Sequence, residues 1–521
     1  MSLTVKPKLQ RNQSVRGNSA RRIVPLLVTI SLVLLACNFP IKKIPSFTGN
    51  YPTLDPAVFE QSSTPLSTGT EPTPGIPPVD HEPPEVDNAV YHVYAAQSGD
   101  TLEAVARHFG VSPAEISSPA VIPPLGILPP GQYLVIPRTP VNQQAMEFVL
   151  PDSAVINSPC AADFDLYGYI ESTEGYLREH TQKIQNTPVN GADVIQRVAE
   201  NTSVNPRLLL AIVEYRAQWV LQHPLHLNTT NPLGLYTENY TGLYLELALA
   251  ARKVNTGYYA WRSGELTELI FTDGRTIRLA PDMNAGSVGV LYLFSELYPL
   301  RELEERVYGE GGFIELYTSM FGDPMFCARE VEPLLTDQVT APILELPFAF
   351  EETWTLSGGL HYDWNAGTPL GALDFAPNTV QSRCEMSPAW VLASAPGVIT
   401  RADNSIVIIS LVDQDKQFTG WEILYMHIAK EGMVPLGSTV LQDDPIGHPS
   451  CEGGTSSGTH VHIARKYRGE WISGGEPFPL ILSGWTAYPG NVEYGGTLER
   501  NGMVVYAIPS AKSRTLTHIF R

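Results

Sequence analysis

Two histidines separated by one residue, His460 and His462, follow a glycine- and serine-rich turn in the stretch CEGGTSSGTHVHIA, residues 451–464. If VHIAR is a strand, side chains two apart share a face, so both imidazoles point the same way. One can hold a metal while the other works beside it. Upstream, SGGLHYDWNAGTPLGALDFAP at 357–377 offers His361 and Asp374, and the intervening WEILYMHIA supplies His427. Two imidazoles and a carboxylate, His361, Asp374 and His462, make a nitrogen and oxygen donor set that suits Zn2+ and leaves a fourth position for water. Such a composition belongs to a catalytic site, because closed structural zinc sites fill all four positions with protein ligands.

These residues resemble the lysostaphin-type or LytM-type zinc endopeptidases, and within them the staphylolysin and β-lytic branch. The likeness rests on CEGGTSSGTHVHIA, on the Tyr-x-His of YMHI, and on a histidine and an aspartate at 361 and 374, more widely spaced than is usual there. It covers roughly residues 345–490. The resemblance implies His361, Asp374 and His462 as zinc ligands, with His460 and His427 unliganded and facing the scissile carbonyl. One of that pair would take the proton of the attacking water and the other would stabilise the tetrahedral oxyanion. The substrates it implies are glycine-containing stems or cross-bridges of peptidoglycan. Degenerate relatives that only bind wall polymer or activate an amidase are the alternative, against which all five site residues are retained here.

The elements that must position these side chains read as short strands after Pro342. GVITRADNSIVIISLV, WEILYMHIA and HVHIARKYRGEWI alternate apolar and polar residues between Gly, Asn and Asp breaks, which suggests an antiparallel sheet folded on itself. GNVEYGGTLERNGMVVYAI reads as an edge hairpin. The region 345–521 is thus expected to be an all-β antiparallel peptidase domain.

Length and charge frame the rest of the chain. With 521 residues there is room for about three domains. Residues 1–36 hold six Lys and Arg (Lys6, Lys8, Arg11, Arg16, Arg21, Arg22) and no acid, so their removal takes the formal charge from −20 to −26. So acidic a chain is a poor partner for nucleic acid, whose phosphates need clustered Lys and Arg. The apolar run Ile23 to Ala36 is shorter than the roughly 20 residues that span a bilayer and reads as a secretory signal. It ends in Leu-Leu-Ala-Cys, which resembles a bacterial lipobox with Cys37 as the acylated first residue. That resemblance implies an exported lipoprotein held by a lipid anchor on the extracytoplasmic face of the membrane. Residues 37–88 are rich in Pro, Ser and Thr and have too few bulky apolar side chains to offset chain entropy, so they read as an extended tether.

Residues 89–138 read as a small β-α-α-β unit. Tyr91 to Tyr94 alternate as a strand, Thr101 caps a helix with an apolar face at Leu102, Val105, Ala106 and Phe109, Ser112 opens a second helix, and Tyr133 to Ile136 close the unit. SGDTL, FGVSPAEI and PPGQYLVIP resemble the LysM module, which implies binding of N-acetylglucosamine polymers through the loops after the first strand and before the last. The region 160–330 reads as mainly α. Asn205 and Pro206 start a helix RLLLAIVEYRAQWV that carries Glu214, and an Asn-Pro-x-Gly turn and Tyr-rich helices follow. That order resembles lysozyme-like transglycosylases, in which such a glutamate is the general acid, although Tyr215 and Arg216 stand where serine is usual. The region is therefore read either as a glycan-cleaving domain that makes the chain bifunctional, or as a degenerate module that holds glycan or merely spaces the peptidase. Beyond Cys37 the chain has four cysteines. Cys160 with Cys327 and Cys384 with Cys451 is the pairing that keeps each bridge inside one predicted domain, the second being also the one the peptidase resemblance implies.

Overall fold

Strand β1 (Tyr91–Ala95) and strand β2 (Tyr133–Pro137) pair antiparallel beside helix α1 (Leu102–Phe109). The Thr101 side chain accepts from the Ala104 amide, and Gly110, at φ 69°, ends the helix. Val105, Ala106 and Phe109 then meet Leu134 and Ile136 in a small core. The expected second helix is corrected to a single 3₁₀ turn, Pro113–Glu115. Ser112 and Glu115 complete a capping box there, but Ile116 is already extended and Ser117 bridges to Val135. Prolines 119, 123 and 124 follow closely and remove the amide donors that a longer helix needs.

The computed structural model describes residues 82–138, 146–235, 239–379, 384–507 and 517–521. The leader read at 1–36, the acylation site Cys37 and most of the tether at 37–88 lie outside the described residues. No helix among the described residues is long and apolar enough to cross a membrane. The contacts below all fall within one compact unit running from His81 to Arg521.

The middle region is helical, as its apolar stripes require. Helix α2 (Gly191–Thr202) is capped by Asn190, helix α3 (Pro206–Ala217) by Asn205 with Pro206 in its first turn, and helices α4 (Leu243–Arg262) and α5 (Ala285–Leu297) pack beside them. Two short hairpins interrupt it, β3 (Thr181–Ile184) with β4 (Thr187–Asn190) and β5 (Glu268–Ile270) with β6 (Thr276–Arg278).

The C-terminal region builds an antiparallel sheet from β7 (Thr353–Tyr362), β8 (Leu370–Pro377), β10 (Gly397–Asp403), β11 (Ile406–Val412), β12 (Phe418–Met426), β13 (Thr439–Val440), β15 (Val461–Tyr467), β16 (Glu470–Trp471) and β21 (His518–Phe520). Its order is β13-β10-β11-β12-β15-β8-β7-β21, with β16 paired to β15. Two further strands, β9 (Val391–Leu392) and β14 (Pro445–Gly447), pair with each other. A second sheet holds β17 (Ile481–Leu482), β18 (Trp485–Pro489), β19 (Gly496–Arg500) and β20 (Met503–Tyr506) in that order. The main sheet is buried on both faces. Ala372, Ile406, Ile408, Leu424, Met426 and Ala464 join the core of the helical region, whereas Leu373, Phe375, Val407, Ile409, Ile423, Val461 and Ile463 pack with Trp485, Ala487, Leu498 and Val505 of the second sheet. Covering both faces explains the nearly unbroken apolar run IVIISLV in β11.

Arg262, at the end of α4, joins these regions. Its Nη2 donates to Asp152 Oδ2 at 2.7 Å and to Glu470 Oε1 at 2.8 Å, and the Tyr258 hydroxyl donates to the same Glu470 oxygen at 2.7 Å. The first module docks nearby. The Gly99 amide donates to Leu335 O at 3.1 Å, Ile127 enters the core that holds Phe478, and the His108 ring stacks on Trp261 at 3.7 Å while its Nε2 donates to the Trp261 carbonyl at 2.9 Å. The loops after β1 and before β2, which the sequence resemblance assigns to glycan, are thus partly engaged by other regions. They border a cavity of about 790 Å³ shared with Tyr259, Thr368 and Trp471.

Burial pushes the His108 imidazole down from 6.5 to about 4. A docked His108 therefore stays neutral where a released one would take a proton. The stabilisation is fully present above about pH 6.5 and is lost as pH falls toward 4, at most roughly 3 kcal/mol. Hydrogen exchange in α1 is expected to accelerate across that window. His108→Phe, which keeps a ring on Trp261, should flatten the pH dependence; an unchanged response in this variant would remove His108 as its source.

Candidate metal centre

Strands β15 and β8 are adjacent, with His462 directly opposite Asp374, and β7 pairs on the other side of β8 with His361 opposite Ala372. His462 and Asp374 alternate with Ile463 and Leu373 and so stand on the face that carries Ala464 and Ala372. His361 Nε2 lies 3.0 Å from His462 Nδ1, and Asp374 Oδ1 lies 3.4 Å from the first and 3.3 Å from the second. All three side chains are buried, and Asp374 Oδ1 has no hydrogen-bond partner. A tetrahedral zinc with bonds of about 2.0–2.1 Å sets its ligand atoms roughly 3.3–3.4 Å apart. The three donor atoms already hold such a triangle, and an orphaned carboxylate oxygen at its corner calls for a cation. The residues present therefore fit the metal that the sequence implies.

Each imidazole is oriented by a backbone carbonyl. His361 Nδ1 lies 2.8 Å from Gly359 O, His462 Nε2 2.9 Å from Asp363 O, His427 Nδ1 2.9 Å from Glu452 O and His460 Nδ1 2.7 Å from Gly458 O. A carbonyl can only accept, so the nearby ring nitrogen carries the proton and the opposite nitrogen of a neutral ring offers a lone pair. His361 and His462 offer theirs to the triangle. His460 Nε2 lies 3.7 Å from Asp374 Oδ1, and the His427 and His460 rings are 4.5 Å apart. The five site residues read from the sequence are thus brought together, three as a donor triangle and two beside it.

Electrostatics sort the group further. Burial would raise Asp374, but the facing imidazoles, His361 first, hold its carboxyl well below the usual range. Burial also lowers His361, yet the Asp374 carboxylate more than compensates and leaves it raised. His462 is lowered by burial despite the same carboxylate. His427, buried and beside His460, is pushed down to about 4 and is neutral near pH 7.

Several positioning groups escaped sequence reasoning. A Cβ on Gly358 would come within 2.6 Å of Asp374 Oδ2, so only glycine lets the carboxylate sit there. Gly453 and Gly454, at φ 67° and 73°, turn the chain so that the Glu452 carbonyl meets His427, while Glu452 Oε2 accepts from the Lys430 amide at 3.0 Å. Tyr494 lies beyond the stretch that carried the family likeness. Its ring stacks on His361 at 4.2 Å, its carbonyl accepts from the Gly359 amide at 2.9 Å, and its own φ is 65°. Its only sequence signal was a tyrosine beside two glycines.

Both expected disulfides are present, Cys160–Cys327 with Cα atoms 5.9 Å apart and Cys384–Cys451 with Cα atoms 5.4 Å apart. The second fastens the loop that leads into His460. Glu214 is not part of this constellation. It is buried in α3, and its Oε2 accepts from the amides of Val220 at 2.8 Å and Leu221 at 2.9 Å, which ties the turn after the helix back to it. Neighbouring Arg216 donates to the Leu233 carbonyl and the Tyr298 hydroxyl.

Residues 148–334 match the family model described as LasA, N-terminal domain. Protease LasA from Pseudomonas aeruginosa is 22% identical over 178 residues, which are 31% of this chain and 40% of that protein. In a second strain it is 23% identical over 211 residues, 37% of this chain and 47% of that protein. The chain thus spans less than half the length of these curated relatives. A solved structure described as a novel M23 metalloprotease, pseudoalterin, from the deep sea is 25% identical, covers 35% of this chain and 99% of that chain, and has a TM-score of 0.27. The family model and the curated relatives support a likeness to LasA-like peptidases.

Replacing His361, Asp374 or His462 by Ala leaves two protein ligands, and bound metal after dialysis against Zn2+ should fall from one per chain to near zero. His427→Ala and His460→Ala should retain it. Full occupancy in His462→Ala, or loss confined to His460→Ala, would show that the roles within His-x-His are reversed.

Proposed function

We propose that the chain is an exported, lipid-anchored zinc endopeptidase that hydrolyses peptide bonds in peptidoglycan, with glycine-containing stems or cross-bridges as substrate. The observation that carries this reading is the buried triangle of His361, Asp374 and His462 with two further imidazoles beside it, each oriented by a backbone carbonyl. The likeness to LasA-like peptidases supports it. Zinc held by the triangle supplies Lewis acidity, which acidifies a water and polarises a carbonyl.

The protein's own residues divide the remaining work. His427 enters the reaction neutral, with its Nδ1 proton committed to the Glu452 carbonyl, so Nε2 is the atom that accepts the proton of the attacking water. His460, whose Nε2 lies 3.7 Å from Asp374 Oδ1, is left to stabilise the developing oxyanion. Tyr494, stacked on His361, closes one side of the site. Glu214 serves as a structural anchor in this reading, and the helical region as a scaffold.

Purified peptidoglycan digested with metal present and with metal chelated separates the alternatives by mass spectrometry. The reading expects new free amines only when metal is present. Altered sugar ends would indicate glycan cleavage, and no release would leave a binding protein. His427→Ala and His460→Ala should each lower turnover by about 10² to 10⁴, while Glu214→Ala should leave peptide cleavage unchanged. Acylation is tested separately. The mature protein should begin at a lipidated Cys37 and partition with membranes, and Cys37→Ser should release it; a soluble wild-type protein starting elsewhere would end that part of the proposal.

A further inference from the structure

The outer face of the second sheet carries a row of side chains that no step of the reaction uses. Tyr488 on β18 lies opposite Thr497 on β19, and Thr497 lies opposite Tyr506 on β20. The residues that alternate with them, Ala487, Leu498 and Val505, are buried against the main sheet. The row itself faces outward, with Tyr488 48% and Tyr506 49% exposed. We infer that Tyr488, Thr497 and Tyr506 form a platform for a neutral, β-linked glycan strand.

The register sets the spacing. Adjacent strands lie about 4.7–4.9 Å apart, so two tyrosines flanking a central strand are separated by roughly 9–10 Å, close to the length of two β-linked pyranose rings. A tyrosine ring presents an apolar, electron-rich face, and a pyranose ring presents a face of C–H bonds. Between the two rings Thr497 offers a hydroxyl, which donates to Glu499 Oε1 at 3.2 Å, so a hydroxyl and a carboxylate stand together on this face to pair with sugar hydroxyls. Among the described residues no basic side chain joins the row. Arg500 lies on the inner face, with its guanidinium 4.6 Å from the Trp485 ring centre and Nη1 donating to Ser483 O at 2.9 Å. Among the described residues this face carries a carboxylate and no cation, which disfavours an anionic polymer and suits a neutral one.

The platform is continuous with the metal centre. Its row lies one residue pair from Pro489 and Gly496, where the hairpin leads into the 490–495 loop that places Tyr494 on His361. A glycan held on the row would bring its attached peptides to the site. That consequence rests on the proposed function; binding itself does not.

Titration of the full chain with the soluble N-acetylglucosamine tetramer, metal chelated, tests the proposal by calorimetry. Wild type should bind, Tyr488→Ala and Tyr506→Ala should each weaken binding about tenfold, and the Phe variants should retain it. Turnover of a short glycan-free peptide should be unchanged in all four, and circular dichroism checks their folding. Undiminished binding in the double Ala variant would move the sugar elsewhere, for example to the first module, and would overturn the assignment. So would the absence of wild-type binding at millimolar tetramer, or capture of glycine-rich peptide alone by this face. Because cleavage plays no part in the titration, sugar binding without peptidase activity would end the proposed function and leave the platform standing.

Discussion

A backbone carbonyl has no proton to give, and this chain uses that fact four times. Gly359, Asp363, Glu452 and Gly458 each hold one nitrogen of an imidazole, which settles which nitrogen is left to face the site. The carbonyls come from different segments: the glycine pair within β7, the turn after it, and the loop before β15. Their positions depend on the sheet register, because a one-residue slip of β15 against β8 would put His462 on the opposite face from Asp374. Register in turn is fixed by burial of both faces. Val461 and Ile463 fill one core and Ala464 the other, so neither face can turn toward water without exposing apolar surface. The donor triangle thus depends on the core beneath it as much as on its own three residues.

The side chains of the candidate site were more legible in the sequence than their supports were. His460, His462, His361, Asp374 and His427 announced themselves because few combinations of residue types can hold a metal, and strand alternation predicted which of them share a face. Orienting carbonyls carry no side-chain signature, so Gly359, Asp363 and Gly458 were invisible. Tyr494 was missed for a related reason. It acts by lying on His361 in a left-handed conformation, and tyrosine beside glycine is an ordinary hairpin composition.

The fold was read correctly where period and capping agreed. Thr101 and Asn205 both cap helices, and the apolar stripes of α1 and α3 are buried as their spacing requires. After Ser112 the local signals conflicted. A capping box begins a helix there, but the proline-rich stretch beyond Ile116 cannot supply amide donors, and only one 3₁₀ turn forms. The extent to which three regions share cores was not legible either, because contacts between segments far apart in sequence leave no periodic trace. Arg262 illustrates this. It offsets Asp152 and the buried Glu470 together.

His427 and Tyr494, both at positive φ, bear on how such a site keeps its shape. Non-glycine residues in that region cost of order 1–3 kcal/mol when the surroundings force them there, and such residues persist only where several contacts agree. For His427 those contacts are the Ser450 amide and hydroxyl on its carbonyl, at 2.8 and 2.9 Å, and the Glu452 carbonyl on its ring. For Tyr494 they are the Gly359 amide and the stack on His361. The two strained residues flank the centre from different segments of the C-terminal region, and each is anchored to a segment that also orients another site imidazole or leads to one. Strain at these positions is therefore offset by the same bonds that aim the histidines, so loosening either support would be felt in the geometry of the lone pairs before it was felt in the stability of the sheet.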